Sequence, residues 1–399
     1  MTGSGSIVRI AARGEGVTAD GRHIPFAAPG DTVHPDGSVI DGPHHAVPPC
    51  RHFPECGGCQ LQHVDDVAYA RYVADRVAGG LAAQRVEVAD LRAPHISPPR
   101  TRRRASLSAL SVARGCAIGF HTRQSRQIVD MRECHVLHPR LFAIVSPLRD
   151  LLGDVLGLRK TATIKATLAD QGVDLLIEGV DTGGLARAER FQDFASEHEL
   201  ARLALDDGMG PQTVWEPDAV TVTLSGSAIP LPPFAFLQAT CDGEAALIAA
   251  VQEAAGGAKT VADLFCGLGT FAMALAGSAK VYAAEAARDV AAALKTGANR
   301  TQQPVFVEHR DLYRRPLTNS ELDRFEAVAL DPPRAGAAEQ VAALAKSAVP
   351  RIGYVSCNPA SFARDARTLV DAGYRLDWVQ PVGQFRWSTH VELTGCFSR

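Results

Sequence analysis

Residues 260 to 271, TVADLFCGLGTF, decide how the rest of the chain is read. The first half is an apolar run of strand length. The second sets Gly267 and Gly269 where a tight turn leads into TFAMALAG, a segment of helical pattern. Such a turn lets a nucleotide-like ligand approach the backbone closely, but G-x-G alone is weak, and Ala272 stands where a dinucleotide fingerprint has its third glycine. Outward from this turn, KVYAAE (280 to 285), PVFVEH (304 to 309), FEAVALD (325 to 331) and RIGYVSC (351 to 357) read as strands, with RDVAAALKTGANR and AAEQVAALAKSAV as helices between them. Strands alternating with helices predict an α/β domain with a doubly wound parallel sheet.

Two final strand patterns, YRLDWVQPV (374 to 382) and HVELTGCF (390 to 397), have no helix between them, so the last pair is expected to be antiparallel. That ending favours a Rossmann-like methyltransferase sheet of class I over a dinucleotide dehydrogenase. Glu285 ends the second strand, Asp311 follows the third and Asp331 follows the fourth. Each alone reads as a solvated loop acid. Together, on one sheet edge, they point to the ribose of a nucleoside cofactor, which NAD and S-adenosylmethionine both contain.

The chain has 399 residues, 46% hydrophobic and 21% charged, enough for two or three folded domains. MTGSGSIVRI lacks the basic and apolar regions of a signal peptide, and no run approaches a membrane span, so no membrane partner and a cytoplasmic setting are expected; a monomer is the default expectation, since no sequence feature bears on oligomeric state. A formal net charge of −3 hides a local excess. From Arg100 to Arg132 there are eight arginines (100, 102, 103, 104, 114, 123, 126 and 132) and one acid, Asp130. Ser106, Ser108, Phe120, His121, Thr122, Gln124 and Ser125 interleave with them, a mixture suited to phosphate contacts and base stacking, although a basic run is most often a solvated face. On the RNA reading, charge reversal of Arg102 to Arg104 is expected to weaken binding.

Residues 6 to 45 carry short strand patterns split by turn pairs, as in a small β-barrel. Residues 160 to 235 alternate β patterns around a helical middle near 184 to 205. The expected units are 1–46, an abbreviated barrel; 47–235, a central α+β domain; and 236–399, the doubly wound domain. Between the first two lie Cys50, Cys56 and Cys59 as C-x5-C-G-G-C, with Cys134 distant in sequence. Nine cysteines in a reducing compartment favour metal ligation or catalysis over disulfides. One close pair with two separated partners departs from the usual paired C-x2-C of zinc, and four thiolates also suit an iron–sulfur cluster. His44, His45, His52 and His63 are nearby spare ligands for zinc. Cys116, Cys241, Cys266 and Cys396 read as packing residues.

DPPR, Asp331 to Arg334, and YVSCNP, Tyr354 to Pro359, complete the pattern. Cys357 ends a strand on the ligand edge, immediately before a proline that can open a helix; a lone cysteine there is otherwise a small hydrophobe. With FAFLQ ending at Gln238, DLFCGLGTF, DPPR, SCNP and HVEL in this order, the chain resembles the RNA uridine-5 methyltransferase family. The resemblance implies S-adenosylmethionine as cofactor, Cys357 as the nucleophile that adds to uracil C6, Glu392 as the base that removes the C5 proton, and a uridine flipped out of its stack. It implies cofactor contacts at Gln238, Phe265, Gly267, Gly269, Thr270, Glu285, Asp311 and Asp331. Thr240 stands where relatives often carry asparagine. The C-x5-C-G-G-C motif with Cys134 is similar to the branch that binds a [4Fe-4S] cluster and acts on 23S ribosomal RNA, and the opening, with Pro29-Gly30-Asp31, resembles the RNA-binding TRAM barrel. Three other readings remain at this stage: uridine-5 methylation of transfer RNA, an N- or 2′-O-directed RNA methyltransferase, and a non-catalytic RNA-binding iron–sulfur protein.

Overall fold

A computed structural model describes residues 5–113, 115–123 and 125–399, so Arg114 and Gln124 of the arginine stretch lie outside the described residues. Its largest sheet has nine strands. Val305–His309, Lys280–Glu285, Thr260–Leu264, Ala327–Leu330 and Arg351–Ser356 lie side by side in that order and run parallel. Glu392–Ser398 follows antiparallel, then Arg375–Gly383, antiparallel to it in turn. The two strands flanking Thr260–Leu264 are reached by connections that leave in opposite directions. This is the topological switch point, and ligands bind at the carboxyl ends of the strands around it.

Register brings the distant C-terminus to that same edge. Ser356 pairs with Leu393, and Val382 pairs with Glu392. Because Glu392–Ser398 runs the other way, its first residue sits beside the last residues of its parallel neighbours. The strands are buried along nearly their whole length, as expected for a sheet covered on both faces. One face is covered by Asp66–Ala83 and Pro359–Asp371, the other by Cys241–Ala255 and its neighbours. The middle of the chain also contributes here: Asp90–Leu91 and His95–Ile96 pair with Arg375–Gly383 and extend the sheet.

A six-stranded sheet forms the central region, ordered Gln212–Trp215, Arg202–Asp206, Val173–Glu178, Thr161–Leu168, Arg104–Val112 and Gly115–Gly119. Val145–Val155 and Leu185–Glu197 pack on it. The helical middle is therefore shorter than its sequence pattern suggests, since residues 202–206 form a strand parallel to Val173–Glu178. The N-terminal five strands run His23–Ile24, Gly16–Thr18, Gly5–Ile10, Thr32–Val33, Val39–Ile40. Its Pro-Gly-Asp turn has a physical basis: Gly30 has φ 88°, and the fully buried Asp31 accepts from the backbone of Ala28 at 2.8 Å and Gly42 at 2.7 Å.

Candidate active site

The turn after Thr260–Leu264 is held in left-handed backbone: Phe265 at φ 64°, Gly267 at 53° and Gly269 at 89°. A phenylalanine in that region is strained, and such strain concentrates where a ligand is clamped. A side chain at Gly269 would run into Leu294, whereas an added Cβ at Gly267 meets open space. The two glycines thus serve different needs, close packing beneath and room above. Thr270 begins the helix Thr270–Leu275 directly after. Glu285 anchors this turn, accepting from Gly267 N–H at 3.0 Å and Ala287 N–H at 2.7 Å. Phe265 lies against Tyr313, ring centroids 5.4 Å apart, and Asp311 accepts from the Tyr313 amide at 3.0 Å, which brings the third strand's loop to the first.

Around the switch point, the acids are deprived of water. Asp331 follows Ala327–Leu330, and burial pushes its carboxyl up to about 7. Glu392, 5% exposed, is pushed up to about 8 by burial and by the charge of Asp331. Cys357 follows Arg351–Ser356; burial, then the charges of Glu392 and Asp331, push its thiol up to about 11, opposed by Arg334. Its loop is stitched to the DPPR loop, since Asn358 Nδ2 and Ser361 Oγ both donate to the Arg334 carbonyl at 3.1 Å. Asn358 also caps the helix Pro359–Asp371, with proline in its first turn. The buried Gln238 donates from Nε2 to Asp331 Oδ2 at 3.4 Å. Cys357, Glu392, Asp331 and Gln238 therefore meet at one place although 154 positions separate Gln238 from Glu392.

A cleft of about 1580 Å³ opens beside this edge. Arg334, Ser388, Thr389 and His390 form its end nearest Glu392; the N-terminal sheet supplies Arg13 and Phe26, and the 120–127 loop supplies Phe120, His121 and Arg123. The Arg123 guanidinium stands 5.0 Å over the Phe26 ring, and that of Arg102 stands 5.4 Å over Phe385. Thr240 caps Cys241–Ala255 by accepting from Gly243 N–H.

A family profile described as tRNA (uracil-5-)-methyltransferase matches residues 235–399. An uncharacterized RNA methyltransferase of Zymomonas mobilis is 48% identical over 98% of this chain and 99% of its own length. The 23S rRNA (uracil(1939)-C(5))-methyltransferase of Thiobacillus denitrificans is 31% identical over 89% of this chain and 86% of its own. The chain belongs to the RNA uracil-5 methyltransferase family. Its fold matches that of the Pyrococcus abyssi tRNA (uracil-54, C5)-methyltransferase solved with S-adenosyl-L-homocysteine, with a TM-score of 0.77 over 99% of both chains at 22% identity. As a member of this family the chain is a methyltransferase. Among the described residues no helix is long and apolar enough to cross a membrane.

The arginine stretch is less of an open track than the sequence suggests. Arg103, 6% exposed, pairs with Glu244 at 2.6 Å and donates to the Gln238 carbonyl at 3.0 Å. Arg104 stacks over Phe234 and Phe236, at 4.6 and 5.0 Å. Arg149 and Arg132 both pair with Asp130. Charge reversal of Arg103 would break a buried pair, so the expectation for Arg102 to Arg104 as a unit is corrected: of the three, only Arg102 lines the cleft.

Cys50, Cys56, Cys59 and Cys134 line one small cavity together, and none is in a disulfide. Burial raises all four thiols, that of Cys59 to about 12, so a bound metal would have to displace their protons. The double glycine lets this loop cross the arginine hairpin: a Cβ on Gly57 would meet the His121 carbonyl at 2.7 Å, and one on Gly58 the Phe120 ring at 3.1 Å. Of the spare histidines, only His52 lines this cavity; His44 pairs with Asp65, His45 with Asp31, and His63 is buried between Phe26 and Phe53. Cys116, Cys266 and Cys396 are buried as expected, but Cys241 is exposed at a helix start, beneath Arg103 Nη1 at 3.4 Å.

Two residues of the site are not singled out from the sequence, although the first lies inside DLFCGLGTF. Asp263 is wholly buried, neither carboxylate oxygen has a partner of good hydrogen-bond geometry among the described residues, and burial and Asp331 push it up to about 8 against the Ala272 backbone. An acid inside the apolar run TVADLFC is the signal that marks it. Gln384 has no such signal; only the folded structure shows it, between Gln238 and Glu392.

Proposed function

We propose that this enzyme uses S-adenosylmethionine to methylate C5 of a uridine in 23S ribosomal RNA through a covalent adduct between Cys357 and uracil C6. The observation that carries the reading is the meeting of Cys357 and Glu392 on one sheet edge at the mouth of a basic, aromatic cleft. Bound S-adenosylmethionine supplies an electrophilic methyl group. Gln238, Phe265, Gly267, Gly269, Thr270, Glu285, Asp311 and Asp331 would hold it; the room above Gly267 and the strained Phe265 fit such a ligand.

Uracil C5 is a poor nucleophile. Addition of the Cys357 sulfur to C6 moves electron density onto C5, which then takes the methyl group. Glu392 removes the C5 proton, and the electrons of that C–H bond reform the C5–C6 double bond as the sulfur leaves C6. A buried carboxyl near 8 suits this task, because a base titrating near working pH both accepts and releases protons. The thiol is held protonated in the free site, so its proton must depart as the S–C bond forms. A uridine reaches this edge by leaving its stack, and Phe120, His121, Phe385 and the arginines of the cleft offer stacking and phosphate contacts to its neighbours.

The four cysteines would hold a [4Fe-4S] cluster. The four line one cavity, and one close pair with two separated partners departs from the paired C-x2-C usual for zinc. The cluster would tie residues 50–59 to the segment after the arginine hairpin, a structural role. The N-terminal unit 1–46 and central unit 47–235 then grip RNA, and unit 236–399 carries the chemistry.

The test is release of tritium from C5-labelled RNA by wild type, Cys357→Ala and Glu392→Gln, with 23S and transfer-RNA transcripts compared. Release from the 23S fragment, abolished by Cys357→Ala, supports the reading; methyl incorporation without tritium release overturns it, and preference for transfer RNA overturns the substrate. A 5-fluorouridine substrate should trap the wild type covalently. Stoichiometric zinc without iron after anaerobic purification would overturn the cluster.

A further inference from the structure

The half-buried Asp331 stands close enough to the buried Glu392 to raise it, and two neutral amides lie beside them. Gln384 is 1% exposed and follows Arg375–Gly383, the strand that pairs with Glu392. Its carboxamide has a fixed sense. The Ala239 amide can only donate, and it points at Gln384 Oε1 from 2.9 Å, so Nε2 must face the other way. Nε2 donates to Gln238 Oε1 at 2.8 Å, and Gln384 lies two residues beyond Val382, the strand partner of Glu392, where its amide favours the Glu392 anion. Gln238, with its oxygen so occupied, is left to turn its own Nε2 toward Asp331 at 3.4 Å. One backbone N–H thus sets the direction of a chain of hydrogen bonds that ends on Asp331.

We propose that Gln384 is a positioning residue for the methyl transfer: it holds Glu392 as a proton acceptor and orients Gln238 toward the cofactor edge. This rests on the reading of Glu392 as the base. The groups that face Glu392 are Asp331 from the DPPR loop, Cys357 from the neighbouring strand end and Gln384 itself. Asp331 disfavours its anion, the Cys357 thiol is protonated in the free site, and the amide of Gln384 favours the anion. An apolar side chain of similar size would remove that donor and leave Asp331 as the charged neighbour. Glu392 would then hold its proton to higher pH.

The experiment is the pH profile of C5-tritium release by the full-length enzyme, for wild type, Gln384→Met, Gln384→Asn and Glu392→Gln. Gln384→Met keeps the volume, and Gln384→Asn keeps the amide but is one methylene too short. Both should lose about tenfold at pH 7, the order expected for one hydrogen bond to a charged group. Both should recover to within about twofold of wild type above pH 9. A uniform loss at every pH, or a profile matching wild type while Glu392→Gln abolishes release, overturns the positioning role and leaves the base in place. Tritium release that survives Glu392→Gln overturns the base and the proposal together.

Discussion

The two charged regions of this molecule meet opposite fates. On the carboxyl edge of the large sheet, Asp263 and Glu392 are buried and Asp331 is half-buried, none has a cationic partner among the described residues, and desolvation raises all three. In the segment from Arg100 to Arg132, the charges that look most available are largely committed to the protein: Arg103 to Glu244, Arg104 to a pair of phenylalanine rings, Arg132 to Asp130. Three consecutive arginines face three environments, because neighbouring residues entering a strand alternate sides. Arg102 stands between the thiol cavity and the cleft, Arg103 points to the helix Cys241–Ala255, and Arg104 covers the segment before Gln238. A charge written in a sequence becomes a field at the surface only where the fold leaves it unpaired. Unpaired burial, conversely, marks a group kept for a ligand.

The comparison breaks most visibly at the nucleophile. Cys357→Ala should lower methyl transfer by at least about 10⁴-fold while leaving the thermal transition in place, since a thiol that only packed would affect stability and not rate. Single-turnover assays beside melting curves separate the two.

Arg103→Ala should act in the opposite way. It strands Glu244 in the interior and should cost about 3–5 kcal/mol of stability, read by denaturant titration. A change within about 0.5 kcal/mol would mean that the pair is not structural and that Arg103 belongs with the RNA surface after all.

The acids predict a pH dependence with a definite sign. Asp263 and Glu392 bind protons more tightly folded than unfolded, so their contribution to stability is complete below about pH 4 and is lost as pH rises toward 8. The ligand-free protein should therefore melt progressively lower between pH 5 and 8, and Asp263→Asn should flatten that slope by more than about 1 kcal/mol. An unchanged slope would show that the carboxyl of Asp263 is hydrated in solution.

Arg123→Glu gives the smallest effect. It should leave stability within about 0.5 kcal/mol, weaken RNA binding, and reduce the slope of log affinity against log salt by about 1. Wild-type salt dependence would remove Arg123 from the cleft's phosphate contacts.

Much of the architecture was written locally. The alternation of strand and helix patterns from 260 to 357, and two final strands with no helix between them, sufficed for the doubly wound sheet and its antiparallel ending. Gly267, Gly269, Glu285, Asp331 and Cys357 could be placed on one edge from sequence, because each follows a strand and all those strands run the same way. Arg103, Cys241 and Gln384 could not. Their settings depend on partners 138 to 146 positions away in the chain, as Gln384 depends on Gln238 and Arg103 on Cys241. Sequence by itself determined which residues end strands and hence which chemistry collects at the edge, since strand periodicity and glycine turns act over a few residues. Only the tertiary structure decided which of them are desolvated, which cations are already spent on buried acids, and which way an amide points. Those are settled by packing and through-space hydrogen bonding, for which neighbouring residues in the chain carry no signal.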